Sequence, residues 1–226
     1  MTNTTDSSTT PAPGTGHWGK VFLAFALGTA VGFAFGNDGG TSVAFSGAMS
    51  GLEERAFLGD ADAPVTIVEY TDYQCTFCQR HYVSTFHTIL DDYDGQIRYF
   101  VRHFPSPSIH PDASRAAVAA VCAEDQGSFW EYHDRLFRQQ RPNLSQAGLL
   151  AYAEDLNLDM EAFNACIVNE DTWAKVQEDH ELGSTYGVSG TPAFFINGRV
   201  VFGAQPLSVF RSAIDAALEE AGVSDR

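Results

Sequence analysis

The stretch VEYTDYQCTFC, residues 68–78, decides the fold. It starts inside APVTIVEYTD (63–72), whose density of Val, Ile and Thr is that of a buried strand. It ends on Cys75 and Cys78, separated by two residues, and the sequence from Cys75 to Leu90 then reads as one helix. A strand that runs through a short loop into a helix places Cys75 at the helix N-terminus. Unpaired backbone N–H groups and the helix dipole favour negative charge there, so the Cys75 thiol is expected to titrate below its ordinary value. Cys78 lies one turn further in and stays within bonding reach of Cys75. The spacing therefore predicts a division of labour in which Cys75 attacks or is attacked and Cys78 resolves the mixed disulfide.

A Cys-x-x-Cys pair is also half of a zinc site, and zinc needs four ligands. His81 and His103 are nearby in sequence, but no second Cys-x-x-Cys follows to complete a set of four. No resident metal or other cofactor is expected, and His81 reads as a partly exposed helix residue. A metal-binding module built on Cys75, Cys78 and a histidine stays open as the rival from another functional class.

Working outward, QIRYFVRHF (96–104) alternates as a second strand. Residues 110–185 carry helical periodicity in short blocks, among them PDASRAAVAAVCAE and SFWEYHDRLFRQQ. TPAFFINGRVVFG (191–203) predicts a hairpin turning on Asn197-Gly198. PLSVFRSAIDAALEEAG (206–222) is an amphipathic closing helix. The order is β-α-β, a helical block, then β-β-α. Pro192 opens the first hairpin strand, where a missing N–H is tolerated.

Four blocks in this order, VEYTDYQCTFC, CAEDQGSFWEYHDRLF, GVSGTPAFFING and the closing helix, resemble the DsbA-like group of thioredoxin-fold thiol-disulfide oxidoreductases. The resemblance covers about residues 56–222 and implies an α/β thioredoxin-like fold with a helical insertion at about 107–185. It implies that Cys75 is the exposed nucleophile and Cys78 its buried partner. It further implies a cis Thr191-Pro192 peptide that pairs with the substrate chain, and a Glu69 that moves the Cys78 proton. Some members of the group carry a second, structural disulfide, which Cys122 and Cys166 would form here. Implied partners are exported proteins with cysteines and a quinone-linked membrane reoxidant of the DsbB or vitamin K epoxide reductase type. Thr76-Phe77 departs from the Pro-His of the strongest oxidants and the Gly-Pro of thioredoxin, which leaves the direction of electron flow open. Tyr73, Phe77 and Phe104 are candidates for an apolar rim around the reactive sulfur, and Phe129, Trp130 and Tyr132 for filling of the insertion.

Ahead of this domain, residues 1–20 are rich in Ser, Thr, Pro and Gly and read as a disordered tail. Val21–Gly36 holds no charge and is expected to be a membrane anchor, with a cleaved signal peptide as the alternative. Lys20 before it and Asp38 after it favour an extracytoplasmic catalytic domain. Residues 37–55 read as a linker.

The net charge of −16 sets like charge against nucleic acid and anionic lipid. Of the thirteen basic residues only Lys20 and Lys175 are lysines. This combination resembles proteins of extreme halophiles and points to a halophilic archaeon as the source.

Overall fold

The structure, a computed structural model, describes Gly47 and residues 51–138 and 144–223. The expected tail, the apolar segment 21–36 and most of the linker lie outside the described residues. Among the described residues no helix is long and apolar enough to cross a membrane.

The central strand is β2 (Val65–Thr71), with all seven residues buried. It pairs in parallel with β3 (Ile97–His103) and antiparallel with β4 (Ala193–Ile196). The short β1 (Phe57–Gly59) closes one edge against β3 and β5 (Arg199–Phe202) the other against β4, giving the order β1-β3-β2-β4-β5. Between β2 and β3 run α1 (Thr76–His81), a π turn over Tyr82–Phe86, and α2 (His87–Asp92). Five helices separate β3 from β4: α3 (Ala113–Glu124), α4 (Phe129–Arg138), α5 (Gln146–Asp155), α6 (Met160–Ile167) and α7 (Glu170–Thr185). The chain closes with α8 (Leu207–Glu220).

The period of two along the strands sorts the core into two layers. Val65, Ile67, Tyr99, Val101, Phe194 and Ile196 share one face with Phe86, Ile89 and Phe210 of the covering helices. Val68, Tyr70, Phe100 and Phe195 share the other. On that second face α7 passes so close that a Cβ on Gly183 would sit 2.7 Å from the Tyr70 ring and 2.9 Å from that of Phe104. Leu52 is buried in the same cluster and Arg55 reaches the Asp179 carboxylate at 2.7 Å, so residues 52–55 belong to the folded unit and not to the expected linker.

The helix expected over 75–90 is interrupted by the π turn, whose rings face inward. Tyr82 stacks on Phe86 at 5.5 Å and on Phe137 at 5.1 Å. The hairpin turns on Asn197 and Gly198, both with positive φ (41° and 92°), as the type I′ pattern requires. Asn197 also holds the start of β2, accepting from the Thr66 N–H and donating to the Pro64 carbonyl, each at 2.8 Å. In the insertion, Cys122 of α3 and Cys166 of α6 are joined by a disulfide across 44 residues. Phe129 and Tyr132 are buried in the insertion core, with Trp130 packed partly buried against it.

Candidate active site

Cys75 is the N-cap of α1, with extended backbone angles that turn its side chain back over the first helical turn. The backbone N–H groups of Phe77 and Cys78 and the Cys78 thiol favour the ionised form of its sulfur. Thr191, in a cis peptide with Pro192, accepts from the Cys75 thiol through its carbonyl oxygen at 3.5 Å, and its side chain lowers the same thiol. The structure thus brings Cys75, Cys78, Thr191 and Pro192 together across 116 residues of chain.

Two sulfurs three residues apart have opposite proton affinities. The Cys78 hydrogen bond, opposed by burial and aided by the backbone N–H groups and Thr191, pulls the Cys75 thiol down to about 5. Burial, donation to Cys75 and the negative charges of Cys75 and Glu69 push Cys78 well above the ordinary thiol range. The pair stands as the dithiol. The implied exposure of the nucleophile is corrected in degree. Cys75 is 6% exposed against 0% for Cys78, because the Thr191-Pro192 turn lies against it.

Beneath the pair lies Glu69, 2% exposed and therefore poorly solvated. Burial, and after it the Cys75 charge, raise its carboxyl to about 7, against the hydrogen bond from Tyr99 and the nearby Thr71 hydroxyl. The Tyr99 hydroxyl donates to Glu69 Oε2 at 2.6 Å and meets His81 Nε2 at 3.2 Å. His81 is 1% exposed, wedged between Phe194 at 4.5 Å and Phe210 at 5.0 Å, so it is not the partly exposed helix residue expected. Tyr99 does not stand out in the sequence, and His81 does so there only as a possible metal ligand. The available signal was parity: Tyr99 pairs with Ile67 in the β2–β3 register and so shares a face with Glu69.

Of the three rim candidates only Phe77 is at the surface, 53% exposed, while Tyr73 at 1% and Phe104 at 5% are core residues. Phe77 lies under the Arg80 guanidinium at 4.9 Å, and Arg80 donates to the Ala204 carbonyl at 3.0 Å. These residues border a groove of about 750 Å³ that Thr191 and the segment Gly203–Leu207 complete. The loop before Cys75 is held by Asp72, whose carboxylate accepts from the Gln74 and Ser106 N–H groups and meets His110 Nδ1 at 2.8 Å.

His103, the other histidine near the cysteines in sequence, is enclosed by the Tyr73 and Phe129 rings. Among the described residues no group of three His, Cys, Asp or Glu side chains is arranged to hold a metal ion.

A family model described as Thioredoxin matches residues 52–216. Over 163 residues, 72% of this chain, the sequence is 38% identical to the Na(+)/H(+) antiporter NhaA 3 of Salinispora tropica, and the match covers 24% of that protein. The chain therefore spans about a quarter of the length of the curated relatives it matches. Among solved structures, alpha-DsbA1 of Wolbachia pipientis is similar with a TM-score of 0.68 at 27% identity, covering 76% of this chain and 94% of that one. A thioredoxin-like oxidoreductase from Silicibacter pomeroyi is similar with a TM-score of 0.66 at 27% identity, covering 74% and 94%. With the reactive-pair geometry, the matched family and the DsbA-like neighbours pointing the same way, the chain belongs to the thioredoxin family, as a DsbA-like member with a helical insertion.

Proposed function

We propose that this protein is an extracytoplasmic thiol-disulfide oxidoreductase that passes the Cys75–Cys78 disulfide to cysteines of exported proteins. The observation that carries the proposal is the placement of the pair: Cys75 caps α1 against the cis Thr191-Pro192 turn, where its thiol is lowered to about 5, while Cys78 is fully buried and its thiol is raised.

In the oxidised protein a client thiolate attacks the Cys75 sulfur. A mixed disulfide forms, the Cys75–Cys78 bond breaks, and the electron pair leaves on Cys78. Glu69, with a carboxyl near neutrality, gives Cys78 its proton. A second client thiolate then attacks the client sulfur of the mixed disulfide, and Cys75 departs as a thiolate. The client gains a disulfide, and the pair is left as one thiolate and one thiol. A thiol of low proton affinity is a good leaving group, which speeds this second step. The same stabilisation favours the reduced over the oxidised pair, which makes the pair an oxidant and supports the oxidase direction over a reductase or isomerase. Phe77 and the adjoining groove give an extended client chain an apolar edge beside the sulfur.

Reoxidation falls to a quinone-linked membrane protein of the DsbB or vitamin K epoxide reductase type, and residues 21–36 tether the domain to the membrane it shares. The acidic, lysine-poor composition supports a halophilic source.

The proposal is tested in cells with Cys78→Ala, which cannot resolve the mixed disulfide. Capture of exported cysteine proteins on Cys75 is expected. Capture of cytoplasmic proteins alone, or of nothing, overturns it, and stoichiometric metal on the purified chain with no thiol exchange would favour the metal-binding module.

A further inference from the structure

The side chains under Glu69 form a hydrogen-bonded row that ends in a residue the exchange steps do not use. Tyr99 has a single hydroxyl proton, and the 2.6 Å bond to Glu69 Oε2 takes it when the carboxyl is ionised. The 3.2 Å contact between the Tyr99 oxygen and His81 Nε2 is then a hydrogen bond only if His81 donates from Nε2. That tautomer leaves Nδ1 as a bare lone pair, and Nδ1 has no hydrogen-bond partner among the described residues. A buried lone pair without a donor is tolerated more easily than a buried N–H without an acceptor. Both observations fix the same proton position. The imidazole is neutral, since burial lowers it to about 3, and Tyr99 keeps its proton, since burial and the Glu69 charge push it well above its ordinary value.

We propose that Tyr99 and His81 are positioning residues for the thiol-disulfide exchange, with His81 Nε2–H orienting the Tyr99 hydroxyl onto Glu69 and so setting the pH at which Glu69 trades its proton with Cys78. This rests on the oxidoreductase reading for its consequence, but the row itself is a property of the folded chain. The groups that act on Glu69 besides Tyr99 are Thr71 of β2 and the sulfurs of Cys75 and Cys78 at the start of α1. The Tyr73 phenol interacts with Glu69 from the loop between them. His133 of α4 interacts electrostatically with His81, while Phe194 of β4 and Phe210 of α8 meet it with uncharged rings. No guanidinium or ammonium among these groups stabilises the carboxylate, so its ionisation depends on neutral donors, with Tyr99 the stronger.

The experiment follows Glu69 directly by carboxyl ¹³C NMR on the reduced protein, with the resonance assigned by its loss in Glu69→Gln. Tyr99→Phe is expected to move the Glu69 titration up by about one pH unit or more, the size of one hydrogen bond to a charged group. His81→Phe is expected to move it in the same direction by less, and His81→Gln, which keeps a donor near Nε2, to restore it. The double variant Tyr99→Phe/His81→Phe should move it no further than Tyr99→Phe alone, since His81 acts only through Tyr99. The rising limb of the exchange rate against pH should shift in parallel. An unmoved titration in folded Tyr99→Phe, or additive shifts in the double variant, overturns the proposal. Wild-type protein that shows the expected NMR shifts across the variants but exchanges no disulfides would leave the row intact and remove the oxidoreductase reading instead. If Tyr99→Phe fails to fold, the comparison of His81→Phe with His81→Gln decides alone: equal titration in both overturns it.

Discussion

At the scale of single residues, the site works by giving chemically identical groups different surroundings. The Cys75 thiol is lowered because neighbouring donors favour its anion, and the Cys78 thiol is raised because burial and the charges of Cys75 and Glu69 disfavour its own. Alkylation of Cys75 by iodoacetamide should therefore titrate near pH 5, with Cys78→Ala weakening the effect by removing the largest donor. Glu69 has the opposite sign as an acid raised to about 7 from an ordinary 4.5. Such a group stabilises the fold fully below the unfolded value and loses that contribution as pH rises through the folded one. Wild type should lose about 3 kcal/mol relative to Glu69→Gln between pH 4.5 and pH 7.5, read from urea midpoints. A difference that stays constant with pH would contradict the buried carboxyl.

At the scale of elements, what was legible in the sequence was what has a local cause. The run 65–71 was readable as a strand because every residue in it is buried, and Asn197-Gly198 because two successive positive φ values need those residue types. The edge strand Phe57–Gly59 was missed, since three residues paired only to β3 carry no alternation of their own. The π turn at Tyr82–Phe86 was missed because its cause is tertiary: the rings of Tyr82 and Phe86 meet Phe137 and Tyr99 from other elements. Tyr99 and His81 escaped for the same reason, being set by register and by a helix packed over a sheet. Two element-scale predictions follow from cross-links between distant parts of the chain. Replacing Cys122 and Cys166 by Ala removes a closure of 44 residues and should cost about 4 kcal/mol while leaving Cys75 reactivity unchanged. Asn197→Ala loses both its hydrogen bonds and its tolerance of positive φ, and should lower the unfolding free energy by about 2 kcal/mol.

At the scale of the whole molecule, three buried histidines govern acid stability. Burial lowers His81 to about 3, His103 to about 4 and His133 to about 3, from an ordinary 6.5. A base lowered in this way contributes stability fully above its unfolded value and loses it as pH falls towards the folded one. Three such groups outweigh the single Glu69, so the thermal midpoint should fall steadily from pH 6.5 to pH 5, and a midpoint that rises there would contradict the burial of the imidazoles. The charge of −16 repels itself, and on the halophile proposal the urea midpoint should be higher in 3 M than in 0.1 M KCl. The same charge asymmetry leaves the reactive groove untouched, since Phe77, Arg80, Thr191 and the 203–207 segment include no carboxylate. All of the proposed chemistry comes down to whether the folded chain prefers its two sulfurs reduced, and equilibration of the Cys75–Cys78 pair against glutathione measures that preference. A reduction potential well above the thioredoxin value, towards about −120 mV, is predicted, and a value near about −270 mV would contradict it.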